Sequence, residues 1–252
     1  MEERAARPGA APDCVLCPPL RFRFNEMADL PGEPAVLAAD DDFFLMPDLA
    51  PLVEGHLLLV ASRHVQCAGA FGKRLWAGAW QWRHRAGRVY QAAYGSSDLL
   101  LLEHGPATSQ GGGACVDHVH WHLLPVPDGT SGESGAPGVR SVRALLEEQG
   151  LPGVPATRDA VHRRYLAGRS YLMVEEQGLA TVHPGDGVAS QHLRRAALRV
   201  LCGDADGQPW RWQERFGLPG SRVLFQRTLD VLRPAVALDD ELQRASRTAS
   251  HQ

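Results

Sequence analysis

Apolar positions in this chain fall into short runs early and into helical spacing later. Residues 36–39 and 43–46 are apolar runs parted by Asp40, Asp41 and Asp42, which predicts a hairpin or a strand with an acidic turn. Residues 56–61 (HLLLVA) and 99–103 each predict a buried strand, and 117–126 predicts another. From 69 to 94 the residues Leu75, Trp76, Ala79, Trp82, Ala86, Val89, Tyr90 and Ala93 recur on one helical face. That spacing predicts one long amphipathic helix, ended by the run Tyr94-Gly95-Ser96-Ser97. Beyond residue 138 the pattern predicts helices at 139–149 and 158–167, strands at 170–175 and 179–182, and helices at 190–201 and 221–232. Strands gathered around one helix, followed by helices around two strands, favour an α+β fold over a parallel βαβ one.

Composition divides this pattern into parts. Residues 1–12 and 240–252 read as flexible tails, and 128–138 (DGTSGESGAPG) reads as a linker. It separates a first domain at 13–127 from a C-terminal α+β extension at 139–239. No run approaches the roughly 18 apolar residues of a membrane helix, and no apolar segment near the N-terminus resembles a secretory signal. Five cysteines in 252 residues do not form a disulfide framework, which points to the cytoplasm. A net charge of −3 excludes a basic nucleic-acid sleeve, so no nucleic-acid partner and no membrane partner is expected.

The eleven histidines change the picture, because several fall together. In Asp117-His118-Val119-His120-Trp121-His122-Leu123-Leu124, residues two apart share a strand face. His118, His120 and His122 therefore line one face, and Val119, Trp121 and Leu123 face a core on the other. Three imidazoles in a row are costly to bury unpaired. Two chemistries use such a row: a metal site, and nucleophilic attack at phosphorus with neighbouring groups holding the phosphate oxygens. The loop 105–113 just before it ends in Gly111, Gly112 and Gly113, whose backbone N–H groups suit an anion-binding concavity.

These residues resemble the motif of the histidine-triad (HIT) superfamily, in which histidines alternate with hydrophobic residues. Upstream anchors agree in order: Cys14-Val-Leu-Cys17, Met46-Pro-Asp48-Leu49-Ala-Pro, and Glu54-Gly-His56 through Arg63-His64-Val65. Together they cover residues 14–127, about half the chain. The resemblance implies a HIT-like antiparallel sheet with a long helix, carrying the C-terminal helical and two-stranded extension. It implies that His120 attacks the α-phosphorus of a small nucleotide substrate to form a nucleotidyl-histidine. His122 would support the phosphate, with His56 beside it. Asp48 would hold ribose hydroxyls, and the base would lie in an apolar slot matching Val15, Leu16, Met46 and Leu49. Gly112 and Gly113 would approach the phosphate.

Cys115 stands where many members carry a Ser or Thr that donates to the phosphate; a thiol donates more weakly. Glu103 stands in the nucleotide site where smaller members carry an amide, and would orient a histidine there rather than touch phosphate. His104 falls on the opposite strand face with no assigned role. His at the third triad position leans toward hydrolysis of a phosphoanhydride or phosphoramidate, since the transferases and phosphorylases of the superfamily carry Gln there.

Zinc-containing members imply a structural Zn²⁺ on Cys14, Cys17, His64 and His118, which would place His118 on metal and leave His120 for phosphorus. The readings that compete with a hydrolase are a nucleotidyl transferase or phosphorylase, a catalytic zinc hydrolase using the three-histidine row, and a non-catalytic nucleotide-binding module. The Arg194, Arg195 and Arg199 helix reads as a solvated face, and His162, His183, His192 and His251 as surface residues. Small members are dimers, so the chain is expected to be a homodimer, or a monomer if its C-terminal half replaces the partner.

Overall fold

A computed structural model describes residues 13–106, 116–126, 141–203 and 211–249. In chain order its elements are α1 (Leu20–Met27), β1 (Ala38–Ala39), β2 (Phe43–Pro47), β3 (Leu57–Ala61), α2 (Lys73–Tyr94), β4 (Leu99–Gly105) and β5 (His120–Pro125). Then come α3 (Val142–Glu148), β6 (Val154–Pro155), α4 (Arg158–Leu166), β7 (Tyr171–Glu176), β8 (Leu179–Pro184), α5 (His192–Cys202), α6 (Trp212–Arg215) and α7 (Pro219–Ala249). The strands form one antiparallel sheet in the order β1-β2-β3-β5-β4-β7-β8-β6. This is the expected α+β class.

β7 pairs with β4 from Leu101 against Glu175 to Gly105 against Tyr171, so the C-terminal strands extend the first sheet. Both faces are covered. On one, Leu57, Leu59, Leu101, Trp121 and Leu123 pack with Ala86, Val89 and Tyr90 of α2, and with Leu232, Ala235 and Val236 of α7. On the other, Leu100, Leu102, Leu124, Leu172 and Val174 pack with Leu145 and Leu146 of α3 and with Leu193 and Ala197 of α5. A sheet with two apolar faces explains why its central strands read as continuous apolar runs.

Gly95 caps α2 in a left-handed conformation (φ 80°), where a side chain would be strained, and the helix ends there as its sequence predicts. α7 differs from expectation. Its pattern predicts a helix at 221–232, yet the helix runs from Pro219 through Pro234 to Ala249. Packing outweighs the lost backbone hydrogen bond at proline: Ala235 and Val236 bury against α2, and Asp239 accepts from Arg85 and Arg88 of α2. The residues from 240 to 249, expected as a tail, continue this helix.

α7 also reaches the loop before β3. The Thr228 hydroxyl accepts the Gly55 N–H at 2.9 Å, and the Tyr90 hydroxyl lies 2.7 Å from the Gly55 carbonyl. Gly55 has φ +84°, and a Cβ there would come within 2.8 Å of Pro125 and Tyr94, so the residue before His56 must be glycine. Leu232 is fully buried in the core shared with α2. Leu232→Ala is expected to lower stability by about 2–5 kcal/mol within one cooperative urea transition covering both halves of the chain. Two separated transitions would contradict a shared core.

Candidate active site and metal centre

The register of β5 sets the site. Leu58 opposes His122, Val60 opposes His120, and Leu102 opposes His122 on the other side. His120 and His122 thus share a face with Leu58, Val60 and Leu102, while Trp121 and Leu123 enter the α2 core. The β2–β3 loop then brings Asp48 and His56 together. The Asp48 N–H donates to the His56 carbonyl at 3.0 Å, and the Asp48 Oδ1 accepts the Ala50 N–H at 2.7 Å. Asp48, His56 and His122 converge, all buried.

Tautomers follow from the partners. His56 Nδ1 accepts the Leu52 N–H at 3.1 Å, so a neutral His56 carries its proton on Nε2. That Nε2 lies 3.0 Å from His122 Nδ1 and donates to it. His122 then carries its own proton on Nε2. His120 Nδ1 lies 2.6 Å from the His118 carbonyl, a contact that only an Nδ1–H satisfies, so the His120 lone pair is on Nε2. The His120 and His122 rings are 5.1 Å apart between centroids. A ring with its lone pair on Nε2 therefore neighbours a ring with its proton on Nε2.

Burial keeps His56 and His122 neutral beside one buried ion pair. Burial pushes His122 down to about 4, partly opposed by the Asp48 carboxylate, and holds His56 well below the usual imidazole range. Burial alone would raise Asp48, but Arg194, His56 and His122 outweigh it and hold its carboxyl well below the usual range. Arg194 is the residue that sequence reasoning misplaced. It is 4% exposed, and its two terminal nitrogens meet the Asp48 oxygens at 3.0 and 3.1 Å and the Ala50 carbonyl at 2.6 Å. The predicted solvated face of this helix therefore turns Arg194 inward, because Leu193, Ala196 and Ala197 beside it anchor α5 on the sheet. The signal was available in those flanking apolar residues.

Other expected residues are placed as follows. Leu16 and Met46 are buried with Phe44, Leu58 and Val60, and Val15 packs against them. Leu49 instead packs on a cluster with Ala28, Leu30, Phe225 and Leu229. Glu103 corrects the expectation that it serves the nucleotide site. It accepts from the Ala68 N–H at 2.7 Å and the Trp121 indole at 3.2 Å, which puts it on the sheet face away from His120 and His122. Burial there raises it to about 7.

His104, next along β4, lies on the histidine face instead, with its Nε2 3.2 Å from the Ser170 hydroxyl. His183, read as a surface residue, is fully buried between Thr181 and the Leu151 carbonyl. His162 is half-buried and its Nδ1 meets the Gly69 carbonyl at 2.7 Å. Cys115, Gly112, Gly113 and His251 lie outside the described residues.

A second cluster joins Cys14, Cys17, His64 and His118, with all four donor atoms within 4.8 Å of one another. His118 Nδ1 stands 3.4 Å from each thiol, and His64 Nδ1 stands 3.5 Å from Cys17. Tetrahedral Zn²⁺ with ordinary Zn–S and Zn–N bonds gives S···N edges of roughly 3.5 Å. His118 Nε2 meets the Ala61 carbonyl at 2.8 Å, which fixes the proton there and turns the Nδ1 lone pair to the cysteines, as a zinc ligand requires. The residues present fit the ion.

No family model matches the chain, and no curated protein matches it significantly. Solved structures that match it include several titled as histidine-triad proteins. A HIT family hydrolase from Clostridium thermocellum matches at 18% identity and a TM-score of 0.34, over 52% of this chain and 100% of that one. A zinc-bound histidine-triad protein from Mycobacterium smegmatis matches at 16% and 0.34, over 62% and 92%. Yeast Ap4A phosphorylase in complex with Ap4A matches at 15% and 0.36, over 66% and 65%. At such identities and scores, functional interpretation of the histidine-triad segment rests on its own residues. No helix among the described residues is long and apolar enough to cross a membrane.

The depressed histidines give a pH test. Burial lowers His104 to about 4, as it does His122, so between that value and about 6.5 the unfolded chain binds protons that the folded chain does not. Stability is therefore present above pH 6.5 and falls as pH drops toward 4. His104→Gln is expected to reduce proton uptake on unfolding near pH 5 by one, measured from the pH dependence of the urea-unfolding free energy. An unchanged uptake would contradict a neutral, half-buried His104.

Proposed function

We propose that this chain is a histidine-triad enzyme that cleaves small nucleotide conjugates at the α-phosphorus through a nucleotidyl-histidine on His120, with water as the final acceptor. The observation that carries the reading is the His120 Nδ1 contact with the His118 carbonyl, which leaves Nε2 as the nucleophilic nitrogen beside the His122 N–H donor. His120 Nε2 forms the N–P bond as the bond from phosphorus to the leaving group breaks with its electron pair. The His122 Nε2–H hydrogen-bonds a phosphoryl oxygen as negative charge grows on it. His56 holds His122 in the donating tautomer. Water then attacks phosphorus as the N–P bond breaks with its electron pair returning to His120 Nε2. The water's proton passes to solvent or to the departed leaving group, and the nucleoside monophosphate is released.

Zinc would be held by Cys14, Cys17, His64 and His118. A closed Cys₂His₂ set leaves no position for a reacting water, so the ion would be structural and would pin the N-terminal segment to β5. The same division of ligands argues against one catalytic zinc on the three-histidine row, since His118 turns to the cysteines while His122 turns to His56. Asp48, His56 and His122 form a second candidate ligand group, but Arg194 places a positive charge directly on Asp48 and disfavours a cation there.

Two measurements test this. In a single turnover with adenosine 5′-phosphoramidate carrying labelled phosphate, wild type is expected to form a covalent adduct that His120→Ala does not form; an adduct retained in the variant would overturn the mechanism. Transfer to phosphate instead of water would appear as nucleoside diphosphate when inorganic phosphate is supplied. Metal analysis is expected to find one zinc per chain in wild type and in His120→Ala. Cys17→Ser should lose the ion and melt at a lower temperature. Loss of zinc from His120→Ala would favour the three-histidine metal site.

A further inference from the structure

We infer that Arg194 sets the sugar specificity of this site: by occupying the Asp48 carboxylate it makes the pocket indifferent to ribose hydroxyls. Ribo-, 2′-deoxyribo- and 2′,3′-dideoxyribonucleotide conjugates are then bound alike. This rests on the nucleotide reading above and deepens it.

A carboxylate can take both hydroxyls of a sugar only if its lone pairs face the ligand. Here they do not. Asp48 Oδ1 accepts the Ala50 N–H at 2.7 Å and an Arg194 nitrogen at 3.0 Å. Oδ2 accepts the other Arg194 nitrogen at 3.1 Å and stands 3.4 Å from His122 and 3.8 Å from His56. Asp48 is 3% exposed and Arg194 4%. A diol could reach the carboxylate only by displacing a bidentate guanidinium, which separates a buried ion pair in a place with little access to water. Nor is the helix free to withdraw. Arg194 is the third residue of α5, between Leu193 and Ala196, and both are buried against β4 and β7.

Asp48 is thereby committed to the histidines rather than to the substrate. Its charge is balanced by Arg194, and the neutral relay from Leu52 through His56 to His122 stands beside that balanced pair. Arg194 is a positioning residue in this arrangement. It touches Asp48 and Ala50 and acts on the substrate through them.

The test compares binding of AMP, 2′-deoxy-AMP and 2′,3′-dideoxy-AMP to the zinc-loaded full chain by calorimetry, with adduct formation at His120 from the matching phosphoramidates alongside. A hydrogen bond from a hydroxyl to a charged carboxylate is worth about tenfold or more in affinity. The three dissociation constants are expected to agree within threefold, and all three phosphoramidates should form the adduct. Tenfold or weaker binding of the dideoxy compound would overturn the inference and leave the nucleotide reading intact. Failure of all three to bind or to label His120 would overturn that reading itself. Arg194→Met, with zinc content and circular dichroism as checks on folding, frees the carboxylate and should raise the AMP over dideoxy-AMP preference to tenfold or more. An unchanged ratio in a folded variant would count against the inference. If the variant does not fold, the wild-type series decides.

Discussion

The buried pair between Arg194 and Asp48 is the contact on which the site depends. It joins a helix near residue 200 to a loop near residue 50, and its carboxylate lies within 4 Å of both His56 and His122. Neither charge has much access to water, so each is tolerable only because the other is present. Removing one partner of such a pair costs about 3–5 kcal/mol, whereas an exposed pair is worth under about 1 kcal/mol. The pair also fixes direction. A planar guanidinium held by two carboxylate oxygens and a backbone carbonyl has one orientation, and Asp48 is held with it.

One short segment meets two different environments. Alternation puts His120 and His122 on one face of β5, while His118 lies in the bend just before the strand, and the surroundings change within two residues. His118 meets thiols and a carbonyl, which turns its Nδ1 lone pair to the cysteines. His120 meets the carbonyl of His118, which leaves its lone pair on Nε2. His122 meets His56, which puts its proton on Nε2. Each ring has the same intrinsic chemistry, and its neighbour decides which nitrogen is used.

The C-terminal part completes the molecule at three levels. β7 continues the sheet beside β4, α7 shares the α2 core and holds Gly55 through Thr228, and α5 supplies Arg194. Trp212 of α6 packs with Phe24 of α1 at 5.8 Å between ring centroids, another contact between the two ends of the chain. The β2–β3 loop that carries Asp48 and His56 is thus gripped from both faces of the sheet by elements that follow it by more than a hundred residues.

The sequence by itself determined the local and periodic features: the long helix and its glycine stop, seven of the eight strands among the described residues, the α+β class, the shared face of His120 and His122 and the Cys14–Cys17 knuckle. These depend on residues close in the chain, where periodicity and turn chemistry carry the information. β6 and the bend that holds His118 outside β5 came from the fold. Tertiary structure decided which buried polar groups meet. Glu103 was read toward the histidines, yet strand alternation with Leu101 turns it to Trp121 and gives His104 the reactive face. Arg194 looked like one of three solvated arginines until the sheet drew its helix inward. Leu49 entered a core built by α7, and Pro234 sits inside a helix because packing beyond it outweighs one missing hydrogen bond. A charge or a proline shows its local preference in sequence, but its partner a hundred residues away appears only when the chain is folded, and burial then makes that partner decisive.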